Sequence, residues 1–265
     1  MTTRSIYCEF TERVVQRGEL RLTVRTIGDG PSVVLLPSLG RSTQDFNDLA
    51  RRLAEHNFCA VLPEPRGIAG STSPSHLLTL HDYAADIALV IDDLNLKRAH
   101  FIGHAFGNRV ARMFATDYPT QVGKVVLLAG GGMVPIKTEV IQSIIKCFAL
   151  TLPDEERLLH LQQVFFASGN DASVWLDGWW PDAAAAQWAA GDATPLHEWW
   201  LAGSAPILVV EAAEDKIVAR ANTQAIKAEG GSRVAVTLIT GAGHALLPEQ
   251  PENVARTIID YLRAA

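Results

Sequence analysis

Cysteine is scarce in this chain, and long apolar runs, basic runs and internal repeats are missing from it. The 265 residues include three cysteines, Cys8, Cys59 and Cys147. They are odd in number and far apart, which excludes a disulfide framework or a zinc site and reads as packing thiols in a reducing compartment. No stretch reaches the roughly 18 uninterrupted apolar residues that a membrane span needs. The start, Met1-Thr2-Thr3-Arg4-Ser5, lacks the apolar core of a signal peptide, so a cytoplasmic protein is expected. Lys and Arg are scattered and the formal net charge is -6, which argues against nucleic acid or an anionic membrane as a partner. No low-complexity tract is present. What remains is an ordinary globular composition, 48% apolar and 20% charged, long enough for one α/β domain with an insertion.

A further absence is local. The stretch Phe101-Ile102-Gly103-His104-Ala105-Phe106-Gly107-Asn108 is framed like a nucleophile elbow, Gly-x-Ser-x-Gly, yet its centre is Ala105. In that motif two glycines let a strand turn sharply into a helix and lift the central side chain to the top of a sheet, where a hydroxyl attacks a carbonyl. A methyl group cannot attack.

The surrounding pattern is that of a parallel sheet. Residues 20–27 alternate apolar and polar side chains, as a half-buried strand does. Short apolar runs at 33–36, 59–62, 100–102 and 125–129 suit central strands buried on both faces. Helical spacing of apolar residues at 43–56, 80–94 and 106–117 separates them. This βαβα alternation predicts a mostly parallel, doubly wound sheet with right-handed crossovers. From 133 to 201 strand signals vanish, helical segments such as 140–148 and 155–166 take over, and all six tryptophans occur. Strands resume at 206–210 and 234–239, and a final helix covers 251–262. The expected organisation is therefore a core of residues 1–132 and 202–265, with a helical cap at 133–201 inserted into it.

Ligands of open α/β sheets bind beyond the carboxyl ends of the strands. The segments there are Pro37-Ser38-Leu39-Gly40-Arg41, Glu64-Pro65-Arg66-Gly67, the elbow, Glu211-Ala212-Ala213-Glu214-Asp215 and Gly241-Ala242-Gly243-His244. Their order, elbow then acid then histidine, resembles that of the α/β-hydrolase superfamily. The resemblance covers nearly the whole chain outside the cap. It implies a catalytic set of Ala105 (at the nucleophile position), Asp215 and His244. Asp215 has Glu211 and Glu214 as rivals but is spaced from its strand as the family acid is. The oxyanion hole would be the backbone N–H groups of Leu39 and Phe106, donors that do not depend on side-chain identity. Two departures accompany Ala105: Pro37-Ser38 stands where many relatives have His-Gly, and Glu64 where many have Asp.

Other residues carry two readings. Ser38, His104, Trp175, Trp179 and Trp199 are taken as substrate-contacting. Against this, Ser38 can cap its loop, His104 can pack beneath the elbow, and the tryptophans can pack the cap onto the core. Arg109 is expected to pair with a structural acid such as Glu64, with a role in the site as the alternative. The apolar cap points to a hydrophobic or aromatic small-molecule substrate, with no cofactor and no metal. Three explanations of Ala105 stay open. The protein is a hydrolase of an ester, lactone or related carbonyl compound whose elbow serine is replaced by alanine. Alternatively it lacks that serine naturally and uses a His-Asp dyad to activate water or abstract a proton. In the third, it is a non-catalytic binder.

Overall fold

The five buried residues of Ser32–Leu36 sit near the middle of one eight-stranded sheet, with no face left for solvent. The structure is a computed structural model describing residues 9–74 and 77–264; Cys8 and the signal-peptide region considered above lie outside these. The strands are β1 (Thr11–Arg17), β2 (Leu20–Ile27), β3 (Ser32–Leu36), β4 (Cys59–Pro63), β5 (Ala99–His104), β6 (Val122–Leu128), β7 (Ile207–Ala212) and β8 (Val234–Ile239). Their order is β1-β2-β4-β3-β5-β6-β7-β8. β2 is antiparallel to both its neighbours, and the pairings from β4 to β8 are all parallel. This is the doubly wound sheet expected from the sequence. β1 was not expected, because an edge strand of the composition Thr-Glu-Arg-Val-Val-Gln-Arg buries Val15 alone and leaves no alternation to read.

Ten helices belong to the described chain: α1 (Asn47–Glu55), α2 (Leu80–Asp93), α3 (Phe106–Asp117), α4 (Thr138–Phe148), α5 (Asp154–Val164), α6 (Pro181–Ala193), α7 (Leu196–Trp199), α8 (Ala221–Gly230), α9 (Leu246–Glu249) and α10 (Pro251–Arg263). Apolar stripes decide which face of the sheet each covers. Leu49 and Leu53 of α1 join Val254, Ile258 and Leu262 of α10 on one face. Tyr83, Ile87 and Ile91 of α2, Val110 and Phe114 of α3 and Ile226 of α8 cover the other. Because α1, which follows β3, and α3, which follows β5, lie on opposite faces, the chain leaves these adjacent strands in opposite directions. That opens a crevice at their carboxyl ends.

The insertion between β6 and β7 holds α4 to α7 and no strand. Its two halves pack differently. Residues from Ile144 to Trp179 form their own apolar cluster, joined by Ala245 from the loop after β8. Ala190, Trp199, Trp200 and Ala202 instead belong to the main core against α3. Arg112 explains part of this. It is fully buried, donates to the Trp200 and Gly131 carbonyls and to Asn108, and lies against the faces of Trp199 and Trp200.

The turn after β4 is fixed by ions. Arg66 forks onto Asp86 of α2 at 2.5 and 2.6 Å, and both side chains are nearly buried. Removing one partner of a buried pair leaves the other charge uncompensated, at about 3–5 kcal/mol. Asp86→Ala is therefore expected to lower unfolding free energy by about that amount, read from urea midpoints at constant m; a loss under about 1 kcal/mol contradicts the assignment.

Candidate active site

Between β5 and α3 the chain has room for no side chain at two positions. A Cβ at Gly103 would overlap the backbone of Asn108, and one at Gly107 would strike the Leu36 and Pro37 carbonyls at the end of β3. With both glycines in place the turn closes, but Ala105 is forced to φ 47° and ψ -106°. A non-glycine residue there costs on the order of 1–3 kcal/mol. The turn is clamped by the Ala105 N–H on the Leu128 carbonyl at 3.1 Å and by Asn108 Nδ2 on the Ala129 carbonyl at 3.1 Å.

Asp215 follows β7, where its Oδ1 accepts from the N–H groups of Ile217 and Val218 at 2.8 and 2.9 Å. Its Oδ2 lies 3.0 Å from His244 Nδ1. Both side chains are 4% exposed. Burial alone would raise the pKa of Asp215, but the His244 imidazole and the two backbone donors outweigh it and hold the carboxyl below its ordinary range. An ionised Asp215 accepts from Nδ1–H of His244, which leaves Nε2 as the basic nitrogen. Glu214 is exposed, and Glu211 faces Arg220 at 3.7 Å, so neither rival of Asp215 reaches His244.

His244 is carried in from beyond β8 by a loop with three anchors. Gly243 N–H donates to Glu249 Oε2 at 2.7 Å, Ala245 N–H to the Phe165 carbonyl at 2.9 Å, and His104 Nε2 to the His244 carbonyl at 2.8 Å. Glu249 also accepts from Ala167 N–H and Asn170 Nδ2, so one carboxylate ties the insertion to the histidine loop. Nothing in the sequence marked Glu249.

A cavity of about 320 Å³ opens onto these groups, the size of a small-ligand site. Ser38, Leu39, Ala105, Phe106 and His244 all line it. Phe106 begins α3, so its N–H is one of the donors a helix start leaves unpaired. The loop bearing Leu39 is latched from behind by Glu64, which accepts from Ser42 Oγ at 2.8 Å and from both the N–H and the hydroxyl of Thr43. Burial raises the pKa of Glu64, opposed by those donors and by Arg25.

Several expected contacts are corrected. His104 does not reach the cavity: it is fully buried beneath the turn, 5.2 Å from the His244 ring. Trp175 and Trp179 are buried as well, flanking the Arg41 guanidinium at 4.6 and 4.7 Å, and Trp199 lies over Arg112 at 4.4 Å. Cationic partners draw these indoles inward. The cavity is walled instead by Trp188, Phe148 and Phe165. Glu64 does not pair with Arg109, which also lines the cavity.

A sequence profile of the alpha/beta hydrolase family matches residues 33–257. The chain belongs to that family. It spans about a third of the length of the mycobacterial proteins it matches, at 27% identity over 113 residues. It is 26% identical, over 96% of each chain, to 2-(acetamidomethylene)succinate hydrolase of Mesorhizobium japonicum. The solved structure of E-2-(acetamidomethylene)succinate hydrolase superposes with a TM-score of 0.78 at 23% identity, covering 97% of this chain and 100% of that one. The 2-hydroxy-6-oxo-6-phenylhexa-2,4-dienoate hydrolase from Rhodococcus sp. strain RHA1 gives 0.79 at 17% identity, with 97% and 100% covered. These superpositions extend the shared fold across the helices between β6 and β7. No helix among the described residues is long and apolar enough to cross a membrane.

Burial, with help from the charge of His244, pushes the pKa of His104 down to about 3. Between that value and 6.5 the unfolded chain binds a proton that the folded one refuses, so stability must fall as pH falls through the window. The expected slope is about 1.4 kcal/mol per pH unit. His100, lowered to about 4 by burial and by Lys124 and Arg98, adds to the same limb. His104→Gln keeps a donor for the His244 carbonyl but does not titrate. Urea unfolding from pH 7 to 4 is expected to show a shallower acid limb in that variant, and an unchanged slope rules the account out.

Proposed function

We propose that this protein carries the site of a hydrolase for an ester, lactone or related carbonyl compound with a hydrophobic or aromatic body, whose elbow serine is replaced by Ala105. One observation carries the reading. The elbow keeps its strained backbone and both crowded glycines around a methyl group that has no use for them, while His244 and Asp215 stay paired beside the same cavity. The Mesorhizobium relative, a hydrolase matched end to end, supports the same class.

With a hydroxyl at position 105 the steps follow from the geometry. His244 Nε2 takes the proton as the oxygen attacks the carbonyl, and Asp215 stabilises the imidazolium. The N–H groups of Phe106 and Leu39 act as the oxyanion hole, worth about 3–4 kcal/mol per donor. The helices between β6 and β7 serve as a cap, whose Ile136, Ile141, Ile144 and Phe148 hold the apolar part of the substrate. The acyl intermediate is then released by water that His244 activates. Loss of a catalytic serine lowers turnover on the order of a million-fold, so the Ala105 form binds and scarcely turns over by this route. The odd, scattered cysteines support a reducing, cytoplasmic setting.

The intact His244–Asp215 pair favours a second reading over a plain binder. With nothing at position 105 to deprotonate, the same base can act on water or on an acidic C–H. Hydrolysis of p-nitrophenyl butyrate by the Ala105→Ser protein separates the two. The serine reading expects activity to rise by several orders of magnitude and to vanish again when His244→Ala is added. An inert Ala105→Ser protein, beside an Ala105 protein whose turnover depends on His244, assigns the site to the dyad alone. Indifference of both proteins to His244→Ala overturns both.

A further inference from the structure

Arg109 lies one helical turn beyond the elbow, on the same side of α3 as position 105, and lines the cavity that holds Ala105 and His244. Its surroundings are unusual for a cation. Burial lowers its pKa, opposed by the charge of Asp192. Among the described residues no carboxylate comes within ion-pairing distance of it, Asp192 included, and its guanidinium makes no hydrogen bond. Its guanidinium carbon lies 5.6 Å from the centre of the Trp199 ring. Arg112, one turn further on, has three carbonyls and an amide for its donors; Arg109 keeps its own for the cavity.

The neighbouring helix leaves space for this arrangement. Gly191, in the last turn of α6, has no positive φ and so no conformational need to be glycine. A Cβ there would sit 2.7 Å from Arg109 Nη1. Glycine is a poor helix former, and what its presence secures at this point is the position of the guanidinium. Leu39, Phe106, Val134 and Trp188 give the cavity an apolar wall, and Ser38, Asp192, Asn222 and His244 are its other polar groups. An unpaired guanidinium in such a wall leaves donors that water fills poorly and a planar anion fills well.

We propose that Arg109 is an anion subsite and that the substrate is a carbonyl compound bearing a carboxylate, held by the Arg109 fork while its carbonyl lies at the elbow. The reacting position rests on the hydrolase reading above; the anion subsite is tested by binding alone. Trp188 lines the same cavity as Arg109, so binding can be followed by tryptophan fluorescence as well as calorimetry.

The probes are 3-phenylpropanoate and its neutral amide, 3-phenylpropanamide, titrated into the Ala105 protein at pH 7.5 and low salt. Hydrogen bonds to a charged group contribute about 1.5–3 kcal/mol, which converts to a preference of about tenfold or more for the carboxylate. That preference is expected to collapse to near unity in Arg109→Gln and to persist in part in Arg109→Lys. Gly191→Ala, which keeps the arginine and improves the helix, is expected to weaken the carboxylate selectively while raising thermal stability. Equal affinities in the unaltered protein, a preference that survives Arg109→Gln, or failure of the carboxylate to bind each overturn the proposal. The Ala105→Ser assay with neutral p-nitrophenyl butyrate reports separately. A carboxylate preference beside an inert Ala105→Ser protein retires the hydrolase reading and keeps the subsite, and the reverse pattern retires the subsite alone.

Discussion

Close approach of the α3 start to the end of β3 is the constraint on which the site depends. Gly107 rests on the Leu36 and Pro37 carbonyls so tightly that no side chain fits, and Gly103 is closed off by Asn108. That contact places the Phe106 N–H and the loop bearing Leu39 on one side of the same crevice, since β3 and β5 are neighbours in the sheet. It also forces Ala105 into a left-handed backbone. The strain is held by the sheet: the Ala105 N–H belongs to the edge of β6, and Asn108 ties the helix to the residue after that strand. A looser turn would relieve the strain and lose the position.

Around this turn the loops at the strand ends are held by buried or partly buried carboxylates. Glu64 holds the loop after β3, Asp86 the turn after β4 through Arg66, Asp215 its own turn and His244, and Glu249 the histidine loop together with residues 167–170 of the insertion. In each case the acceptor oxygens are satisfied by backbone N–H groups, hydroxyls, a guanidinium, an imidazole or a side-chain amide, which is the condition under which a buried charge is tolerable. Loops at the carboxyl ends of strands have few apolar contacts of their own. Directional bonds to fixed charges supply the positional precision that packing does not.

Sequence order carried the sheet, the elbow and the Asp215–His244 pair, because those features are local: a run of apolar residues, two glycines at fixed spacing, an acid and a histidine each just past a strand. What it did not carry is set by contacts between distant segments. Which tryptophan meets the cavity depends on where Arg41 and Arg112 sit, and these draw in Trp175, Trp179 and Trp199 while Trp188 is left at the wall. Arg109 was matched with the wrong acid because the hydroxyls of Ser42 and Thr43, which satisfy Glu64, carry no signal of their own. β1 escaped notice because an exposed edge strand needs no apolar face. The expected cap boundaries were drawn by composition, whereas Trp199 and Trp200 belong to the core by packing.

The charges at the cavity give the methyl of Ala105 a definite consequence. A serine in its place would bring a hydroxyl to the cavity that His244 lines; alanine brings none. Asp215, kept ionised by the His244 imidazole and its two backbone donors, fixes the orientation of that ring. On the hydrolase reading proposed above, the oxyanion donors are the N–H groups of Phe106 and Leu39, which do not involve the side chain at 105 and are untouched by the change. On that reading the site retains the groups that stabilise developing charge and lacks the atom that forms the bond. Stabilising a transition state that is never reached does not accelerate anything, but the same donors and cavity still bind a carbonyl compound in its ground state. On the proposed serine reading an alanine at the elbow therefore keeps binding and gives up turnover, whereas on the dyad reading the chemistry falls to a group small enough to stand where the hydroxyl would, and a water beside His244 meets that description.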